Sequence, residues 1–227
     1  MNKKKQVKRI FDSISYRYDL LNHVLSAGFD YYWRRKALKI TEIKSEAILL
    51  DIACGTGDFA IAARKFDVTN ITGGDLSLNM LRLFNKKKDW SRGNTVQMIA
   101  EQIPLKSEMF TNITVAFGVR NFYDIKKGFD EFFRVLKNRG KVTVLEFRLP
   151  ENNILKKLYL FYFNKILPLI GRLVSKDKEA YTYLPESVNE FDEKINVQKL
   201  LSDSGFTNVK KYNLTFGIVQ VVIGEKL

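Results

Sequence analysis

One cysteine, one histidine and four prolines in 227 residues exclude several classes at once. A lone cysteine cannot form an internal disulfide framework or a cysteine-rich metal centre, and no metal site is expected. No apolar run reaches the ~18–20 residues of a membrane span. The N-terminus, Met1-Asn2-Lys3-Lys4-Lys5, lacks an apolar signal-peptide core, so a cytoplasmic location is expected. There is no internal repeat and no low-complexity segment, and the length suits one good core rather than two full domains. Acids are scarce beside bases: 25 against 38, a net charge of +13. That balance suits an anionic membrane surface or nucleic acid. A general lysine-rich bias accounts for it equally well.

What the chain does have is a nucleotide-type loop. The apolar run Ala47-Ile48-Leu49-Leu50 meets Asp51, and Ile52-Ala53-Cys54-Gly55-Thr56-Gly57-Asp58 follows. A helical pattern of Phe59, Ala60, Ala63 and Phe66 then begins. Glycine lets a backbone approach a ligand closely, and a helix start turns free N–H groups toward it. Cys54 reads as a small residue that fits the loop.

Strand–helix alternation surrounds this loop. Ile71–Asp75 reads as the second strand, Thr95–Ile99 as the third, Asn112–Phe117 as the fourth and Lys141–Phe147 as the fifth. Ser77 is placed to cap a helix carrying Met80, Leu81 and Phe84, and 128–136 is a further helix. A short helix at 197–201 precedes two consecutive strands, 209–214 and 216–223, spaced as an antiparallel hairpin. The pattern predicts an α/β fold with a mostly parallel seven-stranded sheet, helices on both faces and a C-terminal antiparallel hairpin. Residues 1–46 lie outside the alternation as an N-terminal helical segment, and 150–190 as a helical insertion. The insertion, with Ile154 to Phe163 and Leu167-Pro168-Leu169, is apolar, aromatic and flanked by lysines. It suits a cap over a greasy substrate, an interfacial helix, or core packing.

Gly55-Thr56-Gly57-Asp58-Phe59-Ala60 also fits the dinucleotide pattern G-x-G-x-x-A, with Asp75 about 20 residues on as a ribose-binding acid. The loop alone does not separate a nicotinamide cofactor from S-adenosylmethionine. Asp51, placed to face a cationic ammonium group, and the closing strand pair favour the latter.

Four blocks carry a resemblance to the ubiquinone/menaquinone biosynthesis C-methyltransferase family, and the loop itself resembles the first motif of class I methyltransferases with their Rossmann-like fold. The blocks are residues 18–33, from Tyr18-Asp19-Leu20 to Tyr32-Trp33; Asp51 to Asp58 with Asp75; Phe117-Gly118-Val119-Arg120-Asn121; and 134–140 with Leu145-Glu146-Phe147. Tyr183-Leu184-Pro185-Glu186-Ser187 and Thr215-Phe216-Gly217 extend the likeness toward the end.

The resemblance implies methylation of a ring carbon on a polyprenylated quinol: demethylmenaquinol, a ubiquinone precursor, or both. It implies that S-adenosylmethionine is held by Asp51, Gly55, Thr56, Gly57, Asp75, Ile99 and Ala100, with Asp51 at the amino group, Asp75 at the ribose and Ile99 and Ala100 beside the adenine. It places Tyr18, Asn22, Asp30, Arg120 and Asn121 at the quinol. Arg120 would hold a phenolate or orient a water acting as base, since a guanidinium is itself too basic to accept the proton. The family signature carries histidine where this chain has Asp30, and the one histidine, His23, stands at a variable position and reads as inert. Isoleucine at 99 cannot hydrogen-bond an adenine amino group. Asn138-Arg139 replaces a proline-glycine turn, which alters local geometry more than chemistry.

The expected partners are the quinol and, weakly and peripherally, an anionic membrane surface at the inner face, met by the lysine-flanked 154–176 region. Nucleic acid is not expected, and a homodimer is left open. Two other readings stay on the page. One is an RNA or other small-molecule methyltransferase on the same fold, although no N-P-P-Y motif or RNA module occurs. The other is a non-catalytic, cofactor-binding scaffold of a quinone-synthesis assembly.

Overall fold

The computed structural model describes residues 3–166 and 178–227. Leu167-Pro168-Leu169 and the rest of 167–177 lie outside the described residues. Three helices come first, α1 (Lys3–Ile14), α2 (Tyr18–Leu25) and α3 (Phe29–Thr41). Then β1 (Ile48–Ile52), α4 (Asp58–Arg64), β2 (Asn70–Asp75), α5 (Leu78–Lys87), β3 (Thr95–Gln97) and β4 (Phe110–Ala116) alternate. α6 (Ile125–Val135), β5 (Leu136–Phe147), α7 (Asn153–Phe161), α8 (Lys178–Lys194), α9 (Val197–Asp203), β6 (Thr207–Leu214) and β7 (Val219–Glu225) complete the chain.

The strands form one seven-stranded sheet in the order β3-β2-β1-β4-β5-β7-β6. All neighbours are parallel except at β7, which runs against both β5 and β6. Successive strand residues face opposite sides, and β1 shows it: Leu50 joins one core, with Ile113, Phe129 and Phe132, while Leu49 joins the other, with Leu38, Phe59 and Phe84. Both faces are covered, so β1 is apolar almost throughout. Burying a side chain such as Phe129 contributes about 2 kcal/mol.

Local signals set the elements. Ser77 caps α5 by accepting from the Met80 N–H at 3.2 Å, and Met80, Leu81 and Phe84 then share the buried face. Asp124 caps α6 by accepting from the Lys127 N–H at 2.9 Å, which starts that helix at Ile125, before the expected Gly128.

Most strand boundaries shift from expectation, notably in β3, β5 and β7. β3 stops at Gln97, and Ile99 makes only an isolated bridge to Gln102. β5 begins at Leu136, so Asn138 and Arg139 lie within its run, Arg139 with φ of 64°. Phe216 is not in a strand: Thr215, Phe216 and Gly217 are all left-handed (φ 46°, 56° and 87°), and β7 starts only at Val219.

The chain order reverses between β1 and β4, where Asp51 pairs with Thr114. A crevice opens outside the strand ends at such a switch point. Here the residues that follow, Ala53 after β1 and Phe117 after β4, both take positive φ (51° and 57°).

Candidate active site

Two cavities meet at this crevice. The first, of about 810 Å³ with its mouth, is lined by Gly55, Asp75, Met98, Ile99 and Ala100, with Val7 and Phe11 of α1 across from them. The second, of about 1340 Å³, is bounded by Phe29, Trp33, Phe147, Tyr159, Phe163 and Tyr183, with Asn22, Asp30, Arg34 and Arg120 as its polar groups. Phe11, Tyr18 and Phe117 line both. A smaller void of about 310 Å³ beside them is walled by Asp51, Gly55, Thr56, Asp58 and Tyr18.

The glycine loop bends sharply. Gly55 has φ of 54° and Gly57 of 87°. A Cβ on Gly57 would lie 2.2 Å from the Phe84 ring. Gly57 is therefore held by packing, and it lines none of the three spaces described. Gly55 faces two of them.

Asp75 ends β2. Its Oδ2 accepts the Gly55 N–H and its Oδ1 the Ser77 N–H, each at 2.8 Å. A carboxylate offers about four lone-pair sites, so two remain for a diol. Burial pushes Asp75 up to about 6 against those backbone donors. Asp51 lies deeper. Its Oδ1 accepts Thr114 Oγ1 at 2.8 Å and its Oδ2 the Ala60 N–H at 3.2 Å, and burial pushes it up to about 7. A buried carboxylate on a small void is matched to an ammonium group, which would restore its charge. Gly55, Asp75 and Asp51 thus fit the ribose and amino ends of S-adenosylmethionine. Thr56 is buried and gives its hydroxyl proton to Asp19, tying the loop to α2. Cys54 is buried, and burial, with Asp75 and Asp51 nearby, raises its thiol well above the ordinary value, which disfavours a thiolate.

On the second cavity, Tyr18 is half-buried, and desolvation raises its hydroxyl above the ordinary value against a hydrogen bond with Asn22. Arg120 and Glu146 form a buried pair: Arg120 Nη1 donates to Glu146 Oε1 at 2.6 Å and to the Phe117 carbonyl at 2.6 Å. Glu146 also accepts the Phe147 N–H at 3.0 Å. Asn121 faces the first cavity rather than the second, which it reaches through Tyr183, whose hydroxyl donates to Asn121 Oδ1 at 2.8 Å.

Asp30 is no bare base. Its Oδ2 accepts Arg34 Nη1 at 2.6 Å and meets His23 Nδ1 at 2.9 Å, and its Oδ1 accepts Ser26 Oγ at 2.8 Å. His23 is not idle either, since its Nε2 lies 2.8 Å from the Tyr31 hydroxyl. His23, Asp30 and Asp58 converge. Arg34 and Lys87 already pair with the two carboxylates, which makes this an ion-pair network. Burial alone would raise Asp58, yet Arg34 and Lys87 together hold it below its ordinary value.

The sequence blocks contain Glu146, Trp33 and Tyr183, and the apolar insertion contains Tyr159, but none of the four carries a site role on sequence grounds. Glu146 had a signal: an acid inside the apolar run Val144-Leu145-Glu146-Phe147 needs a buried partner.

The sheet order, the glycine loop after β1 and the acid closing β2 define the fold of the class I methyltransferases. A family profile described as the ubiE/COQ5 methyltransferase family matches residues 1–226, and the chain belongs to that family, which makes S-adenosylmethionine its cofactor. A Geotalea daltonii protein named ubiquinone/menaquinone biosynthesis C-methyltransferase UbiE is 44% identical, over 99% of this chain and 97% of its own. A Bacteroides fragilis demethylmenaquinone methyltransferase is 36% identical, over 99% and 94% respectively. Among solved structures, a SAM-dependent methyltransferase from Thermotoga maritima superposes with a TM-score of 0.65 at 19% identity, covering 97% of this chain and 99% of that one. That likeness establishes the fold alone. The chain is an enzyme of a family that performs C-methylation in quinone biosynthesis.

Proposed function

We propose that this chain methylates a ring carbon of a polyprenylated quinol, converting demethylmenaquinol to menaquinol, acting on the matching ubiquinone precursor, or both. The observation that carries this reading is the large aromatic cavity joined to the cofactor cavity through Tyr18 and Phe117. A flat, oily ring fits the one, and the other holds the donor.

S-adenosylmethionine, when bound, supplies an electrophilic methyl on a sulfonium. Asp51 neutralises its ammonium end, Asp75 takes the ribose hydroxyls, Gly55 and Thr56 shape the loop around it, and Ile99 and Ala100 border the adenine. Gly57 contributes by keeping the loop packed. Tyr18, Asn22, Asp30 and Asn121, through Tyr183, orient the quinol. Arg120 stays a guanidinium beside Glu146, and it favours the phenolate form of the acceptor hydroxyl, which enriches the ring carbon that attacks. A quinol hydroxyl, like a phenol, ionises near about 10, so a modest push toward the phenolate is useful. The apolar walls exclude water and align the reacting atoms.

The reading includes a cytoplasmic enzyme that rests weakly on an anionic membrane surface. No helix among the described residues is long and apolar enough to cross a membrane. Ile154, Leu158 and Phe161, at helical spacing on α7, are all exposed, and Lys157 lies among them. Parallel assays with methyl-labelled S-adenosylmethionine test the function. Label in demethylmenaquinol or in the ubiquinone precursor supports it, and label in bulk RNA alone overturns it.

A further inference from the structure

Where a lipid-tailed acceptor would enter the second cavity can be read from one turn. Phe29 lines that cavity and is also 49% exposed, so it marks a place where the wall meets solvent. Thr215 lines it too. Both touch Trp33: the Phe29 ring stacks on it at 6.2 Å, and Trp33 Nε1 donates to Thr215 Oγ1 at 2.7 Å. The indole therefore fixes the β6–β7 turn to α3 at the cavity's edge.

The next residue, Phe216, is 80% exposed. It and Thr215 hold positive φ, 56° and 46°. Left-handed backbone is strained at β-branched and aromatic residues, and burial of the Phe216 ring does little to offset that strain. Together with the exposed Phe29 at the same cavity edge, this turn presents an aromatic pair to an apolar partner outside the chain. Lys210 and Lys211 are exposed on β6, which leads into the turn. The whole chain carries +13. Exposed aromatic rings on a strongly cationic chain match the interface of an anionic bilayer, where such rings settle at headgroup level.

We propose that the Thr215–Gly217 turn and Phe29 form the portal of the acceptor cavity, with Phe216 inserted into an anionic lipid surface and the polyprenyl chain passing beside it. This rests on the quinol reading above and adds to it the point of contact with the lipid. The occupant of the patch is lipid rather than a second copy of this chain, because two copies would bring like charges together around the same ring.

The test compares the full chain with its Phe216→Asp and Phe216→Trp variants. The acceptors are a short-tailed demethylated naphthoquinol in solution and a long-tailed one in vesicles of phosphatidylglycerol and phosphatidylcholine. Phe216→Asp is expected to lose about tenfold in kcat/KM on the vesicle-borne acceptor, the scale of one lost aromatic burial, with the short-tailed acceptor turned over as before. Phe216→Trp is expected to gain a blue-shifted emission with these vesicles, beyond any change in the unsubstituted chain. Equal loss on both acceptors, no loss on vesicles, or an emission that vesicles do not move overturns the portal. So does a wild-type dimer that Phe216→Asp dissociates with vesicle binding unchanged. Failure of the quinol reading itself would look different, with neither acceptor methylated by the wild type.

Discussion

Arg120 and Glu146 are a buried ion pair at the floor of the aromatic cavity, with Nη1 2.6 Å from Oε1 and Glu146 wholly shielded from solvent. The Arg120 backbone N–H also points at Glu146 Oε2, at 3.3 Å. The carboxylate thus fixes the position of the guanidinium and balances its charge. Removing the charge of Glu146 leaves Arg120 buried with its main counter-ion lost, which is costly.

Glu146→Gln should therefore lower kcat on the quinol by about tenfold or more, and Arg120→Ala by about a hundredfold, as for a lost donor at developing oxyanion charge. S-adenosylmethionine affinity should stay close to normal in both, since Arg120 lines only the acceptor cavity. Steady-state kinetics beside calorimetric titration of the cofactor reads out both halves.

Asp51 gives a pH prediction. Its value in the fold, about 7, lies above the ordinary carboxylate value because of burial. The folded, ligand-free chain therefore binds an extra proton between about pH 4 and pH 7, and the stability linked to it is present at the acid end and lost as pH rises through about 7. A bound ammonium favours the ionised form. Cofactor affinity should then climb through neutral pH, with a proton released on binding near about pH 6.5. Asp51→Asn should abolish that release, weaken binding and raise the melting temperature of the ligand-free chain by a few degrees near pH 8. An affinity that is flat with pH would speak against Asp51 at the ammonium.

Asp30 separates stability from chemistry. Arg34 is buried against it. Asp30→Ala should cost about 3 kcal/mol by removing the nearer of the two carboxylates on that buried guanidinium and leaving Asp58 alone, at 3.8 Å. His23→Ala should cost about 1 kcal/mol or less, because Arg34 and Ser26 still hold the carboxylate. Denaturant unfolding of the two variants gives the comparison.

Gly57→Ala should destabilise the fold by several kcal/mol, since the new Cβ meets Phe84 on a left-handed backbone. Cys54→Ser should leave turnover within about twofold, as expected of a buried thiol kept protonated. Thermal melts check the first and kinetics the second.

These cases also show what was legible in the sequence. Ser77 was readable as a cap and Asp75 as the acid at a strand end because both depend on neighbours within a few residues. The mostly parallel sheet and its closing antiparallel hairpin followed from strand–helix alternation, while the strand order itself depends on tertiary placement. Gly57 looked like a ligand contact because its spacing is that of one. The tertiary placement of Phe84 adds a packing demand on the same glycine that spacing alone does not show. Pairings between distant residues, Arg120 with Glu146 and Trp33 with Thr215, left no periodicity to read. His23 looked idle because nothing local says that α2 and α3 bring it onto Asp30. Phe216 was read into a strand because β-propensity does not register a left-handed backbone.

The central claim is that donor and acceptor lie in two cavities sharing the walls of Tyr18 and Phe117. A crystal structure of the chain with S-adenosylhomocysteine and a demethylmenaquinol analogue tests it most directly. The account predicts the ribose on Asp75, the ammonium at Asp51, and the sulfur facing the quinol ring across the gap between Tyr18 and Phe117. A ring bound outside the aromatic cavity, or a sulfur turned away from it, would contradict the account.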